Sequence, residues 1–243
     1  MRSPRTWLPV ILAAFGVVGN ILLNTGLRDR LVQEPWLLLG LTAITLLCAS
    51  VLPIVSFLRA ESRYHRRESI GALQRLLAEA IRRIFPGEDP GRIRANVMTV
   101  QGDELAILSS VNMDLYPDLD VRWGYDQGCA GTAWKRASEA PMSERWVPVL
   151  APNAQVSADD LTREWRLTKE QIQKTSHVLW VLSTPLFITE GEQSRFVGVL
   201  NFDGVSGDLS NMGRLRDESI HKDCADIGDY FASELVRRGI VHL

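Results

Sequence analysis

The fold is decided by VLWVLSTPLFI (Val178–Ile188) and FVGVLNFD (Phe196–Asp203), two runs separated by a polar break that contains Glu190-Gly191-Glu192. Both are rich in β-branched and aromatic residues, and the Glu-Gly-Glu break is turn punctuation, so they read as consecutive antiparallel strands. Side chains alternate across a strand. Leu179, Val181, Ser183 and Pro185 therefore share one face, and Val178, Trp180, Leu182, Thr184 and Leu186 the other. Asn201 and Asp203 fall on a single face of the second strand, with Ser183 or Thr184 beside them. One face is expected to meet helices and the other a pocket.

Upstream lie three more strand-like runs, Val97 to Val100, Leu105 to Val111 and Val121 to Tyr125, with Gly102-Asp103 as a tight turn between the first two. That makes about five strands. Between Gly131 and Lys174 the pattern is helical and loop-like, with Trp134, Trp146, Trp165 and several prolines. An excursion that leaves a sheet and returns to it covers one face and roofs a pocket. Two amphipathic helices flank the strands. Ile70, Leu73, Leu77, Ala80 and Ile84 repeat at spacings of three and four, and Ile220, Cys224, Ile227, Phe231 and Leu235 do the same. These stripes are expected to pair within the domain or with a dimer mate, giving a homodimer or higher oligomer.

The amino-terminal quarter is different. Trp7 to Leu27 and Trp36 to Leu58 carry no charge, and each is long enough to cross a hydrocarbon core about 30 Å thick at about 1.5 Å per residue. No A-x-A-like cleavage site follows the first, which disfavours a signal peptide. Arg2 and Arg5 precede the first stretch, and Arg59, Arg63, Arg66 and Arg67 follow the second. By the positive-inside rule both termini face the cytoplasm of a bacterial inner membrane. Gly16, Asn20 and Asn24 recur every four residues and make a polar stripe suited to hairpin contacts. The expected domains are a transmembrane hairpin over 1–58, a connecting helix over 59–85 and a sensory domain over 69–238.

The net charge of −2, from 27 Lys and Arg against 29 Asp and Glu, gives no footprint for a nucleic-acid partner. Three separated cysteines make neither a disulfide framework nor a metal-ligand pair. No phosphate loop, HExxH helix or Ser-His-Asp set stands out, so no enzyme is expected, and nothing names a cofactor or a metal. Cys129 beside a helix entry is a candidate reactive thiol, but a buried small hydrophobe is the better reading.

Gly128-Cys129-Ala130-Gly131-Thr132-Ala133-Trp134 resembles the GxxG-containing helix entry of GAF domains, and Ser183-Thr184-Pro185-Leu186 followed by Gly198-Val199-Leu200-Asn201-Phe202-Asp203 resembles their closing strands. The resemblance covers roughly Ser69 to Arg238. It implies an α+β fold, with an antiparallel sheet of five or six strands backed by the terminal helices and a small-molecule pocket on the opposite face. The NKFDE-type motif of cyclic-nucleotide-binding GAF domains, the cysteine-histidine attachment site of phytochromes and the clustered cysteines of free methionine sulfoxide reductases are missing from the sequence.

The expected ligand is small, planar and polar, with a nucleotide among the candidates. Trp123 and Tyr125 would stack on it, and Ser183, Thr184, Asn201 and Asp203 would hydrogen-bond to it. The reading is a membrane-anchored cytosolic sensor that signals through helix or oligomer rearrangement. The alternative is a nucleotide-gated, membrane-disrupting effector of an anti-phage system, a likeness of architecture alone.

Overall fold

The structure, a computed structural model, describes Val55, Phe57, Tyr64 and residues 67–141, 143–151, 157–191, 193–205 and 211–241. The chain divides after His65, and the unit described here is the second, Arg66–Leu243. The stretches Trp7 to Leu27 and Trp36 to Leu58, with Gly16, Asn20 and Asn24, lie outside the described residues apart from Val55 and Phe57. The inner-membrane placement is corrected: among the described residues no helix is long and apolar enough to cross a membrane. The long described helices are amphipathic, with Arg75, Glu79, Arg82 and Arg83 on the outer face of one and Glu218, Asp226 and Tyr230 on that of the other.

The unit opens with helix α1 over 67–84 and a short 3-10 turn, Pro90–Arg92. Strands β1 (Ile93–Gln101), β2 (Glu104–Val111) and β3 (Trp123–Gly124) follow, then α2 (Gly128–Glu139) and β4 (Val149–Ala151). Two short helices, α3 (Ala158–Glu164) and α4 (Lys169–Lys174), lead into β5 (Trp180–Glu190) and β6 (Gln193–Gly204). A turn of helix, α5 (Asn211–Arg214), and the long α6 (Glu218–Arg237) end the description. The strands form one sheet in the order β3-β2-β1-β6-β5-β4, and each neighbouring pair is antiparallel. This is the α+β architecture that the resemblance implies, with six strands.

Each face of the sheet has its own core. On the helix face, Ala95, Val97, Leu182, Leu186, Leu200 and Phe202 meet Leu73, Leu77, Ile84, Cys224, Phe231 and Leu235. Both helical stripes are thus consumed within the chain, because they cover a sheet as well as each other; only Ile70 among them is part-exposed. On the opposite face, Met98, Leu105 and Val199 pack under Cys129, Ala130 and Ala133 of α2.

Two bulges set which side chains face which way. One falls in β2, where Val97 pairs with Ser109 and Met98 with Ile107, leaving Leu108 extra. It lets Ile107 turn to the α2 face while Leu108 joins the helix-face core. The other falls in β6 at Val197, between the pairs Leu186 with Gly198 and Phe187 with Phe196.

Candidate functional site

The site is built on the α2 face of β1, β6 and β5, where the register lines residues up in rows. Arg94 pairs with Asp203, which pairs with Val181; Asn96 pairs with Asn201, which pairs with Ser183; Met98 pairs with Val199, which pairs with Pro185. Going along the strands the floor passes from charge, through amides, to apolar carbon. Trp123, Trp165 and Leu167 supply the opposite wall, Met113 and Asp118 one end, and the partly open cavity measures about 50 Å³.

Glycine makes the wall possible. Gly128 has φ +62°, and a Cβ there would lie 2.6 Å from the Trp123 ring. At Gly131 it would lie 2.1 Å from the Gly124 carbonyl, so α2 can meet β3 only without a side chain at that position. Gly128 N–H donates to Trp165 O at 2.7 Å, which ties the excursion to the helix entry. The GxxG signal therefore has a physical basis at both of its glycines.

The charged row is closed on itself. Arg94 Nε donates to Asp203, its register partner on β6. Its Nη1 and Nη2 donate to Asp118 at 3.2 and 2.7 Å, a two-oxygen fork. Nη1 also lies 2.7 Å from His177 Nε2. A guanidinium only donates, so that nitrogen accepts and the imidazole is neutral. Tyr116 stacks on His177 at 4.5 Å between centroids and lies 4.7 Å beneath the guanidinium carbon.

Arg94 is 1% exposed. Burial opposes its charge, yet the two carboxylates outweigh that and hold its pKa above the ordinary value. Burial pushes the Asp203 carboxyl up, with Arg94 pulling the other way. Burial and then Arg94 hold His177 below its ordinary value.

In the amide row Ser183 Oγ donates to Asn201 Oδ1 at 2.6 Å, and Asn201 Nδ2 donates to Asn96 Oδ1 at 2.9 Å. Asn96 Nδ2 finds only the Met113 sulfur, at 3.5 Å. Cys129, in the wall, is buried; its thiol donates to Val149 O at 3.0 Å, and burial pushes its pKa up to about 12. It is a protonated small hydrophobe at neutral pH.

Of the six expected ligand-binding residues, Trp123, Asn201 and Asp203 line one cavity. Ser183 sits behind Asn201 as its donor. Thr184 faces the helices, where a Cβ on Gly228 would touch its methyl group. Tyr125 stands outside, 40% exposed, donating to Glu139 Oε1 at 2.7 Å and meeting Trp134 edge-on. β3 ends at Gly124, and positive φ at Asp126 turns the chain, so Tyr125 does not share the Trp123 face. Arg94, Asn96, Asp118 and His177 were outside the sequence expectation. Arg94 and Asn96 alternate with Ala95 and Val97, a period-two signal that extends the first strand backwards. Among the described residues no His, Cys, Asp and Glu group is placed to hold a metal.

No family model matches the chain, and no curated protein matches it. Solved structures do. A far-red cyanobacteriochrome photoreceptor is 12% identical over 77% of this chain and 97% of its own, with a TM-score of 0.47. A GAF domain/HD domain protein from Geobacter sulfurreducens is 13% identical over 72% and 95%, with 0.44. The free methionine-R-sulfoxide reductase from Neisseria meningitidis, in complex with its substrate, is 18% identical over 71% and 81%, with 0.40. All three likenesses have TM-scores under 0.5 and identities under 20%.

Proposed function

We propose that the unit 66–243 is a small-molecule sensory domain whose ligand lies in the cavity between the sheet floor and the Trp123 and Trp165 wall. The observation that carries this reading is the graded floor. The charged pair Arg94 and Asp203, the amides Asn96 and Asn201, and then apolar Met98 follow one another along the floor, with aromatic side chains in the wall. Such a surface orients a ligand that has one polar edge and an apolar body. The coupling to output is short. Asn201 faces the cavity while its neighbours Leu200 and Phe202 belong to the core under α1 and α6, so a shift of β6 moves both faces at once. We read no catalysis into the site, because the Cys129 thiol is held protonated and its hydrogen is already engaged.

The test is thermal unfolding of the full chain against a panel of nucleotides, cyclic dinucleotides, tetrapyrroles and small organic acids and amines. A ligand at 100 times its dissociation constant adds about 2.7 kcal/mol. Trp123→Ala together with Asn201→Ala is expected to abolish the gain. A ligand whose affinity survives both substitutions binds elsewhere, and the reading falls.

A further inference from the structure

Two residues that hydrogen-bond to the floor come from the segment that joins β2 to β3, and His177, the remaining partner of Arg94, from the approach to β5. Asp118 holds the outer fork of Arg94, and the Met113 sulfur stands 3.5 Å from Asn96 Nδ2. A thioether is a weak acceptor, so Asn96, only 2% exposed, keeps a donor that a better acceptor would take. Arg94 and Asn96 are two apart on β1 and point the same way, which puts their Cα atoms roughly 7 Å apart along the floor.

The partners of Arg94 are not equivalent. Asp203 is set opposite it by the ladder between β1 and β6 and cannot leave without breaking that pairing. Asp118 lies on a connection that is tied to other elements at its two ends, by Asn112 Nδ2 donating to Pro90 O and Ile93 O at 2.7 and 2.8 Å and by Lys174 on Asp120 and Gln171 on Arg122 O, while its middle has local turns, Tyr116 N–H to Met113 O at 3.0 Å and Val121 N–H to Asp118 O at 3.2 Å. That connection starts at Asn112 with φ 61° and carries Leu115 at 94% exposure. Among the described residues Arg94 is the one cation in the cavity wall. With Asp118 and Met113 in place the cavity of about 50 Å³ takes about four waters, since one needs about 10–15 Å³ by this measure.

We propose that Asp118 and Met113 are a built-in stand-in for the ligand, which is a small organic carboxylate with an apolar body. Its carboxylate replaces that of Asp118 on the Arg94 fork, its body lies over Met98 against Trp123, and its entry releases the middle of the connection between Asn112 and Asp120. The exchange puts one carboxylate in the place of another, so the charge of the buried cluster is unchanged while Asp118 regains water. A cationic ligand has no such exchange to make, and the incompletely met group of the floor, the Asn96 amide, calls for an acceptor. This inference rests on the cavity being the ligand site.

The experiment uses the full chain and three isosteres, benzoate, benzamide and benzamidine, with inorganic phosphate alongside, read by calorimetry and by hydrogen exchange. Benzoate is expected to bind the wild type and to bind Asp118→Ala at least tenfold tighter, because a tethered competitor is gone. Asp118→Asn gives the same direction with a smaller gain and serves if the alanine variant does not fold. Benzoate is also expected to speed amide exchange over 113–121 in the wild type. Benzamidine or benzamide binding better than benzoate, phosphate binding as well as benzoate, or equal benzoate affinity in wild type and Asp118 variants would each overturn the carboxylate exchange while leaving the cavity a ligand site. No binding of benzoate to any variant overturns it as well. Only if the wider panel is also silent does the sensory reading fall with it.

Discussion

Replacing Arg94 by Met keeps most of the volume and removes the charge between two carboxylates. Arg94 is 1% exposed at its side chain and Asp118 and Asp203 are each 5% exposed, so none of the three is hydrated in the native state. Removing one partner from a buried ion pair costs about 3–5 kcal/mol, because the group left behind stays in a low-dielectric place without compensation. Here two groups are left. Asp118 is on a connecting segment and can swing to water, which places the expected loss near the lower end. At 1.4 kcal/mol per decade, about 3 kcal/mol lowers the folding constant about a hundredfold. The loss must also depend on pH, in a direction the geometry fixes. The folded pKa of Asp203 is already raised by burial, and Arg94 is what restrains it. In Arg94→Met it rises further above the unfolded value of about 3.9. A group raised in the folded state contributes stability that is complete below its unfolded pKa and lost as pH rises through the folded one. Urea unfolding followed by tryptophan fluorescence should therefore show a gap between variant and wild type that is small near pH 4 and widens toward pH 8. A gap under about 1 kcal/mol at pH 8, or one that does not change with pH, would mean that the two carboxylates are hydrated in the native state and refute the buried ion cluster.

Four further substitutions have outcomes that the structure fixes. Gly131→Ala should abolish the native near-UV signal of the unit, since its Cβ would sit 2.1 Å from the Gly124 carbonyl, while Gly71→Ala, with nothing within 4 Å, should stabilise by about 0.5–1 kcal/mol. Leu77→Ala, at a fully buried position of α1, should cost about 2–5 kcal/mol in chemical denaturation and shorten no oligomer; release of a folded monomer in sedimentation would mean that the stripe lies at an interface. His177 is held below its ordinary value by burial and by Arg94, so its contribution is present above about pH 6.5 and lost as pH falls through the lower folded value. The stability difference between wild type and His177→Asn should shrink from pH 7 to pH 5, and a constant difference would remove His177 from the cluster.

The strand pair that closes the sheet was legible because its signal is local, a period of two with a turn between. The same is true of Gly128 and Gly131, whose spacing reflects two close approaches of α2 to β3. What was not legible is whatever depends on residues far apart. Arg94 and Asp203 are 109 positions apart, and no spacing rule joins them. A charged residue in a strand also disguises the strand, so β1 was expected to begin at Val97 and not at Ile93. β4 is three residues long, shorter than any periodicity can mark. Ser183 and Thr184 could not be separated by chemistry, but alternation allows only one of them beside Asn201, and the register chose Ser183.

The same alternation gives β6 two faces of different character. In β6, Asn201 and Asp203 line the cavity and Val199 packs under α2, while Leu200 and Phe202 are fully buried under the helices. Phe202 meets Phe85 edge-on at 5.7 Å between centroids, and Phe85 meets Trp180 of β5 at the same separation. A close-packed aromatic contact of this kind cannot absorb a displacement by compressing, so a movement of the strand must shift a ring and, with it, the end of α1. The charged row works against idle movement, because Arg94 ties β1 to β6 through Asp203 and to the 112–122 segment through Asp118. Of those two ties only the second joins the sheet to a connecting segment.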